Sequence, residues 1–166
     1  MNRPDAFQDH YPEAWSHCMG CGRLNAHGYH IQSLWAEKGK RSLCTFSPAP
    51  WHTALPGYVY GGLLASVIDC HATGTAAAII HETAPDHAYP RFVTASLNVD
   101  FLKPTPLAPF EVEGSLHSRE GRRLVIACTV TAGGEVTVRG RVTVVEITQA
   151  GWPRQSPPDP PTGRMP

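Results

Sequence analysis

The sequence has no excess of either charge: 14 Lys and Arg face 14 Asp and Glu. No overall field therefore draws nucleic acid or an anionic membrane surface, and neither is expected as a partner. A long apolar run clear of polar groups is also missing. The stretch from Gly61 to Ile80 comes nearest, but it contains Asp69, His71 and three glycines. On that content it reads as too polar for a membrane span. The opening residues, MNRPDAFQDHYPEAW, have no apolar core segment, so no leader peptide is expected. Cysteine is sparse and odd in number, 5 scattered over 166 residues, which does not make a disulfide framework. These absences point to a soluble protein of the reducing cytoplasm. The apolar share of 42% against 17% charged then indicates one globular domain with a sizeable core.

The first thirty residues are rich in His, Gly and aromatics without periodicity and read as loop with one helical turn. Residues 1–29 are taken as an N-terminal segment, 30–149 as the folded domain and 150–166 as a mobile tail. That tail follows from GWPRQSPPDPPTGRMP, which holds 6 of the 16 prolines. Extended segments are expected at His30 to Glu37 and Arg41 to Phe46, divided by Lys38-Gly39-Lys40. In the run from Gly61 to Ile80, Leu64, Val67, Ile68 and Ala72 recur at helical spacing. Beyond TAPDHAYP the pattern becomes extended: RFVTASLNVDFL, PFEVEGSLHS, RRLVIACTV and EVTVRGRVTVVEI, separated by turn signals. Two strands, one long helix and four strands without βαβ alternation define an α+β class with an antiparallel sheet.

Asp69 is the one formal charge in a helix that is apolar nearly all round. Such a helix is normally wrapped by other structure. A buried carboxylate without partners costs several kcal/mol or shifts its pKa upward, so Asp69 either pins a loop or has a task. Gly61 and Gly62 stand where the helix starts. Glycine allows close approach of a ligand, and the N–H groups of a first helical turn favour developing negative charge. An oxyanion could be held there.

The pattern Tyr60-Gly61-Gly62 followed by Asp69 resembles the H-G-G-x(6)-D signature of hotdog-fold thioesterases of the phenylacetate-pathway type. Cys18-Met19-Gly20-Cys21-Gly22, with Asn25 and Gly28, resembles the C-F-G-C-G-x-x-N-x-x-G-L opening of such proteins. Asn98 to Pro104 is similar to their central strand with its proline kink, and Arg119 to Leu124 to their basic hairpin. The resemblance spans residues 16 to 147. It implies one long central helix wrapped by a five- to six-stranded antiparallel sheet, in a homodimer or a dimer of dimers joined edge to edge. It implies an acyl-CoA substrate with no separate cofactor. Gly61 would offer its N–H to the thioester carbonyl, and Asp69 would be the nucleophile or the base that orients water. Thr94 would help hold that water, commonly from the other subunit, and Thr73 matches a hydroxyl used in a related branch. Gly62 would join the substrate-binding turn. Two positions depart from the pattern: Tyr60 replaces the usual His, and Ala54 stands where Asn or Gln is common, which leaves that polar role vacant or shifted to His52.

Arg119, Arg122 and Arg123 suit either a solvated turn or the phosphates of CoA. His17, Cys18 and Cys21, with His27 or His30, raise a zinc site. A structural zinc site wants four ligands and no second CxxC or HxxxH is present, so no metal is expected. Cys70 and His71 invite a Cys–His catalytic pair, but consecutive helical residues point about 100° apart and cannot face one another. Cys70 then reads as core, and His71 as a core or interface histidine with a substrate contact left open. The expected activity is hydrolysis of a small-to-medium acyl- or aryl-CoA thioester. The alternatives are a hydratase/dehydratase of β-hydroxyacyl thioesters, kept open by His52, and a non-catalytic acyl-CoA-binding protein.

Overall fold

The computed structural model describes residues 5–147, so the tail expected at 150–166 lies outside it. Two short 3-10 turns, Phe7–His10 and Glu13–Trp15, precede the strands β1 (Leu34–Glu37) and β2 (Arg41–Phe46). The helix α1 (Gly61–Thr83) follows, and then β3 (Arg91–Phe101), β4 (Phe110–Glu120), β5 (Arg123–Ala132) and β6 (Glu135–Ile147). The expected order of elements is the observed one. The first strand starts later than expected, at Leu34, because the residues before it bond to the N-terminal segment. Phe7 N–H donates to the Ser33 carbonyl, and the Gln8 amide bonds both the N–H and the hydroxyl of Ser33.

The six strands form one antiparallel sheet in the order β1-β2-β4-β5-β6-β3, which leaves the short β1 and the eleven-residue β3 as its edges. Leu63, Leu64, Val67, Ile68, Ala72 and Ala76 of α1 are buried against Val112, Leu124, Ile126, Val130, Val138, Val142 and Val144 of the sheet. Each large side chain buried this way contributes about 1.5–3 kcal/mol. Alternation along the inner strands is regular, as in β5, where every second residue from Leu124 to Ala132 is buried.

By length and mean hydropathy (1.5), α1 could cross a membrane, which corrects the expectation that its polar residues exclude this. In this fold 72% of its apolar window is buried. The helix begins after Tyr60, whose backbone is extended, and stops at Ala84, which is non-helical with a proline next. Proline disfavours the helical conformation in the residue before it.

Candidate active site

Burial of one helix face against the sheet turns Asp69 outward between β3 and the N-terminal loop. It lines a cavity of ≈ 250 Å³ together with Tyr11, Trp15, Cys18, Thr73, Arg91 and Thr94. Thr94 Oγ1 donates to Asp69 Oδ1 at 2.5 Å. Both groups belong to one chain, whereas the resemblance placed this hydroxyl more often on the partner. A break in register between Thr94 and Ser96 inserts one extra residue in β3 opposite β6. Bulges of this kind re-aim neighbouring side chains and recur beside functional sites. Burial raises the Asp69 pKa above the ordinary aspartate range; the Thr94 hydrogen bond opposes that rise and the nearby Cys18 adds to it.

Thr73 lines the same cavity, but its hydroxyl donates to the backbone carbonyls of Asp69 and Cys70. Its side-chain proton is therefore engaged with the helix backbone in this arrangement. Gly61 and Gly62 open α1 as expected. A Cβ on Gly62 would collide with the Tyr60 ring, which covers it. Gly61 lines a different cavity, of ≈ 310 Å³, with Val59, Leu64 and Phe101. Eight helical residues separate Gly61 from Asp69, about 12 Å at 1.5 Å per residue. One chain thus does not bring the helix N-terminus and the acid onto the same atom.

His52 lies apart from Asp69 too. Its Nδ1 accepts the N–H of Ala49 at 3.0 Å, and its ring packs edge-on to Tyr29 in a third cavity. Arg119, Arg122 and Arg123 are exposed around the β4–β5 turn. Arg123 pairs with Val145, which pairs with Val93. The basic hairpin therefore lies two strand spacings, about 10 Å, from the strand end that carries Thr94.

His71 turns to the opposite side of the helix and is fully buried. Its Nδ1 bonds Ser33 Oγ at 2.8 Å and its Nε2 bonds Ser42 Oγ at 3.0 Å. Burial lowers its pKa to about 3. It is a core histidine, one of the roles expected for it.

The cysteines are where sequence reasoning fell short. Cys70, read as core, is buried, yet its Sγ lies 3.8 Å from that of Cys18. The sulfurs of Cys18, Cys21 and Cys70 all lie within 4.8 Å of one another. Hydrogen bonds from the Cys21 and Cys70 thiols, together with the backbone N–H groups of Cys21 and Gly20, draw the Cys18 pKa down. Arg91, which opens β3, lines the Asp69 cavity with its guanidinium 5.1 Å from the Trp15 ring centre. Its position at the start of a strand was the available signal.

One apolar helix wrapped by a six-stranded antiparallel sheet, with an acid on the helix two turns past a glycine start, defines a hotdog-fold domain of thioesterase type. The family model described as the thioesterase superfamily matches residues 56–139. The chain belongs to that superfamily. It is 31% identical over 123 residues to acyl-coenzyme A thioesterase THEM4 of Rattus norvegicus, covering 72% of this chain and 48% of that protein. To acyl-coenzyme A thioesterase THEM5 of Mus musculus it is 27% identical over 120 residues, covering 70% of this chain and 44% of the other. The chain thus spans about half the length of these relatives. Among solved structures, a thioesterase superfamily protein superposes with a TM-score of 0.64 at 25% identity, over 87% of this chain and 70% of that one. A phenylacetic acid degradation-related protein from Ralstonia eutropha JMP134 gives a TM-score of 0.57 at 19% identity, over 69% and 82%.

Proposed function

We propose that this protein hydrolyses acyl-CoA thioesters, with Asp69 as the group that drives attack on the carbonyl. The observation that carries the reading is the Thr94–Asp69 hydrogen bond at the wall of a cavity, on a helix with no other formal charge from Gly61 to Ile80. The hydroxyl binds Oδ1 and leaves Oδ2 to take a proton from water. Water then adds to the thioester carbon, charge gathers on the carbonyl oxygen, and the C–S bond breaks to release the acid and CoA thiol.

The oxyanion needs donors close to the reacting carbon, and Gly61 of the same chain is too far from Asp69. We assign that role to Gly61 of a second copy, joined along the exposed edge of β3. Edge strands present unpaired backbone groups to just such a neighbour. The basic hairpin of Arg119, Arg122 and Arg123 would receive the nucleotide phosphates by bidentate contacts. Hydrolysis by this route calls for no resident cofactor, and the five free thiols fit a reducing compartment such as the cytoplasm.

No histidine lines the Asp69 cavity among the described residues, which weighs against the dehydratase reading. Thiol release from a panel of acyl-CoA esters tests the proposal. Turnover on at least one ester, lost in Asp69→Ala, is expected. Turnover retained in that variant would move the chemistry elsewhere; none with any ester, alongside tight ester binding, would make the protein an acyl-CoA binder.

A further inference from the structure

The cluster of Cys18, Cys21 and Cys70 is not used by hydrolysis, and its construction is specific. Cys18 and Cys21 come from the loop before β1, and Cys70 from the middle of α1. Two glycines make the meeting possible. A Cβ on Gly20 would run into the Cys70 sulfur, and one on Gly22 into the backbone of Cys18 and Ser16. The loop is then tied down by Gly22 N–H to the Cys18 carbonyl at 2.9 Å and Ile31 N–H to the Gly20 carbonyl at 3.0 Å. The result is a tight Cys-x-x-Cys-Gly turn pressed onto a third thiol, all three lining the cavity that Asp69 lines.

We propose that Cys18, Cys21 and Cys70 form a three-thiolate site for a thiophilic divalent ion of the zinc class, with its fourth position open to the cavity. The spacing matches. Zinc–sulfur bonds of about 2.3 Å in a tetrahedron set the sulfurs about 3.8 Å apart. Cys18 and Cys70 are at 3.8 Å, and the remaining pairs, within 4.8 Å, need to close by about 1 Å at most. The hydrogen bonds now linking the thiols put protons where a cation would sit. Binding would release those protons to solvent. Thiolate donors select soft ions over magnesium or calcium.

The proposal departs from the expectation of no metal. That expectation counted ligands along the chain, where Cys21 and Cys70 are far apart, and the missing ligand comes from the helix. A cavity-facing fourth position takes water and needs no fourth side chain. The ion would pin the N-terminal loop to α1, so its binding would also stabilise the fold. The inference is independent of the hydrolase reading, because its readouts are metal content, spectrum and melting.

The test uses the full chain, purified with a phosphine reductant, stripped with a chelator and reloaded with Co²⁺ or Zn²⁺. The expected result is one ion per chain after dialysis, with a thiolate-to-cobalt charge-transfer band in the near ultraviolet and tetrahedral bands in the visible. Cys18→Ser and Cys21→Ser should lose these bands, and Cys44→Ser, a buried thiol elsewhere, should keep them. Zn²⁺ should raise the melting temperature of the wild type and not that of Cys18→Ser. Cys18 is exposed, so its variant is expected to fold even where Cys70→Ser does not. No charge-transfer band in the wild type, or an undiminished band in Cys18→Ser, would overturn the proposal.

Discussion

Asp69 and His71 stand two residues apart on one helix, and their surroundings are opposite in kind. Around His71 both ring nitrogens are bonded, and Ser42 Oγ continues the network to Thr75 at 2.6 Å and to the Gly114 carbonyl at 3.2 Å. No exposure remains there. Asp69 has a single hydroxyl partner, lies against a cavity and keeps an elevated pKa. A polar group bonded on every side is held by the fold and serves it. One with a spare lone pair, partly desolvated and facing a cavity, is available for chemistry. On the proposed function, the same helix carries a structural face and a chemical face, turned about 200° apart by two steps of 100°.

The largest effect that would sharpen this contrast is on turnover. Asp69→Asn keeps the shape and removes the base, so kcat should fall by about 10²–10⁴. Its melting temperature should stay close to that of the wild type, as scanning calorimetry would report.

On the structural face, acid should act through His71. The unfolded imidazole takes up a proton near pH 6.5, while the folded one stays neutral down to about 3. Below 6.5 the unfolded state binds more protons, so this contribution is complete above that pH and is lost as pH falls towards 3. The loss is on the order of 5 kcal/mol across that window. Urea melts at several pH values should show the slope in the wild type and a flatter one in His71→Ala. The variant should cost about 3 kcal/mol at neutral pH, from the cavity and the orphaned hydroxyls.

A smaller effect probes the link between the acid and the edge strand. Thr94→Val removes the hydrogen bond that opposes the rise in the Asp69 pKa. The acidic limb of the pH–rate profile should move to higher pH, with kcat about tenfold lower near neutrality. The smallest change is expected at the hairpin. Arg122→Ala with Arg123→Ala should raise KM several-fold for CoA esters and leave short thioesters without the nucleotide unaffected, as steady-state kinetics would reveal. An equal rise for both would remove the phosphate role.

Much of this arrangement is legible in the sequence. The helical spacing of Leu64, Val67, Ile68 and Ala72 located α1, and Asp69, the lone charge from Gly61 to Ile80, marked the candidate site. The strands after it were legible because β-branched runs alternate between clear turn signals. What stayed hidden depends on contacts distant along the chain. The meeting of Cys70 with Cys18 and Cys21 needs the loop docked on the helix, which no spacing reveals. Ser33 and Ser42, the partners of His71, come from the first strands and the residues before them and look like ordinary polar positions. The bulge beside Thr94 did leave a trace. Phe92 is even-numbered, whereas Leu97, Val99 and Phe101 are odd-numbered, and a strand that keeps one face inward cannot change phase without an extra residue. The separation of Gly61 from Asp69 was also open to arithmetic, since eight helical residues cannot close on one carbonyl.

The most direct measurement is thiol release per folded molecule for Asp69→Asn and His71→Ala, side by side at neutral pH and a temperature where both are folded. The account predicts that Asp69→Asn is folded and nearly inactive, while His71→Ala is destabilised yet turns over within a few-fold of the wild type. Hydrolysis persisting in Asp69→Asn, or lost equally in both variants, would contradict it.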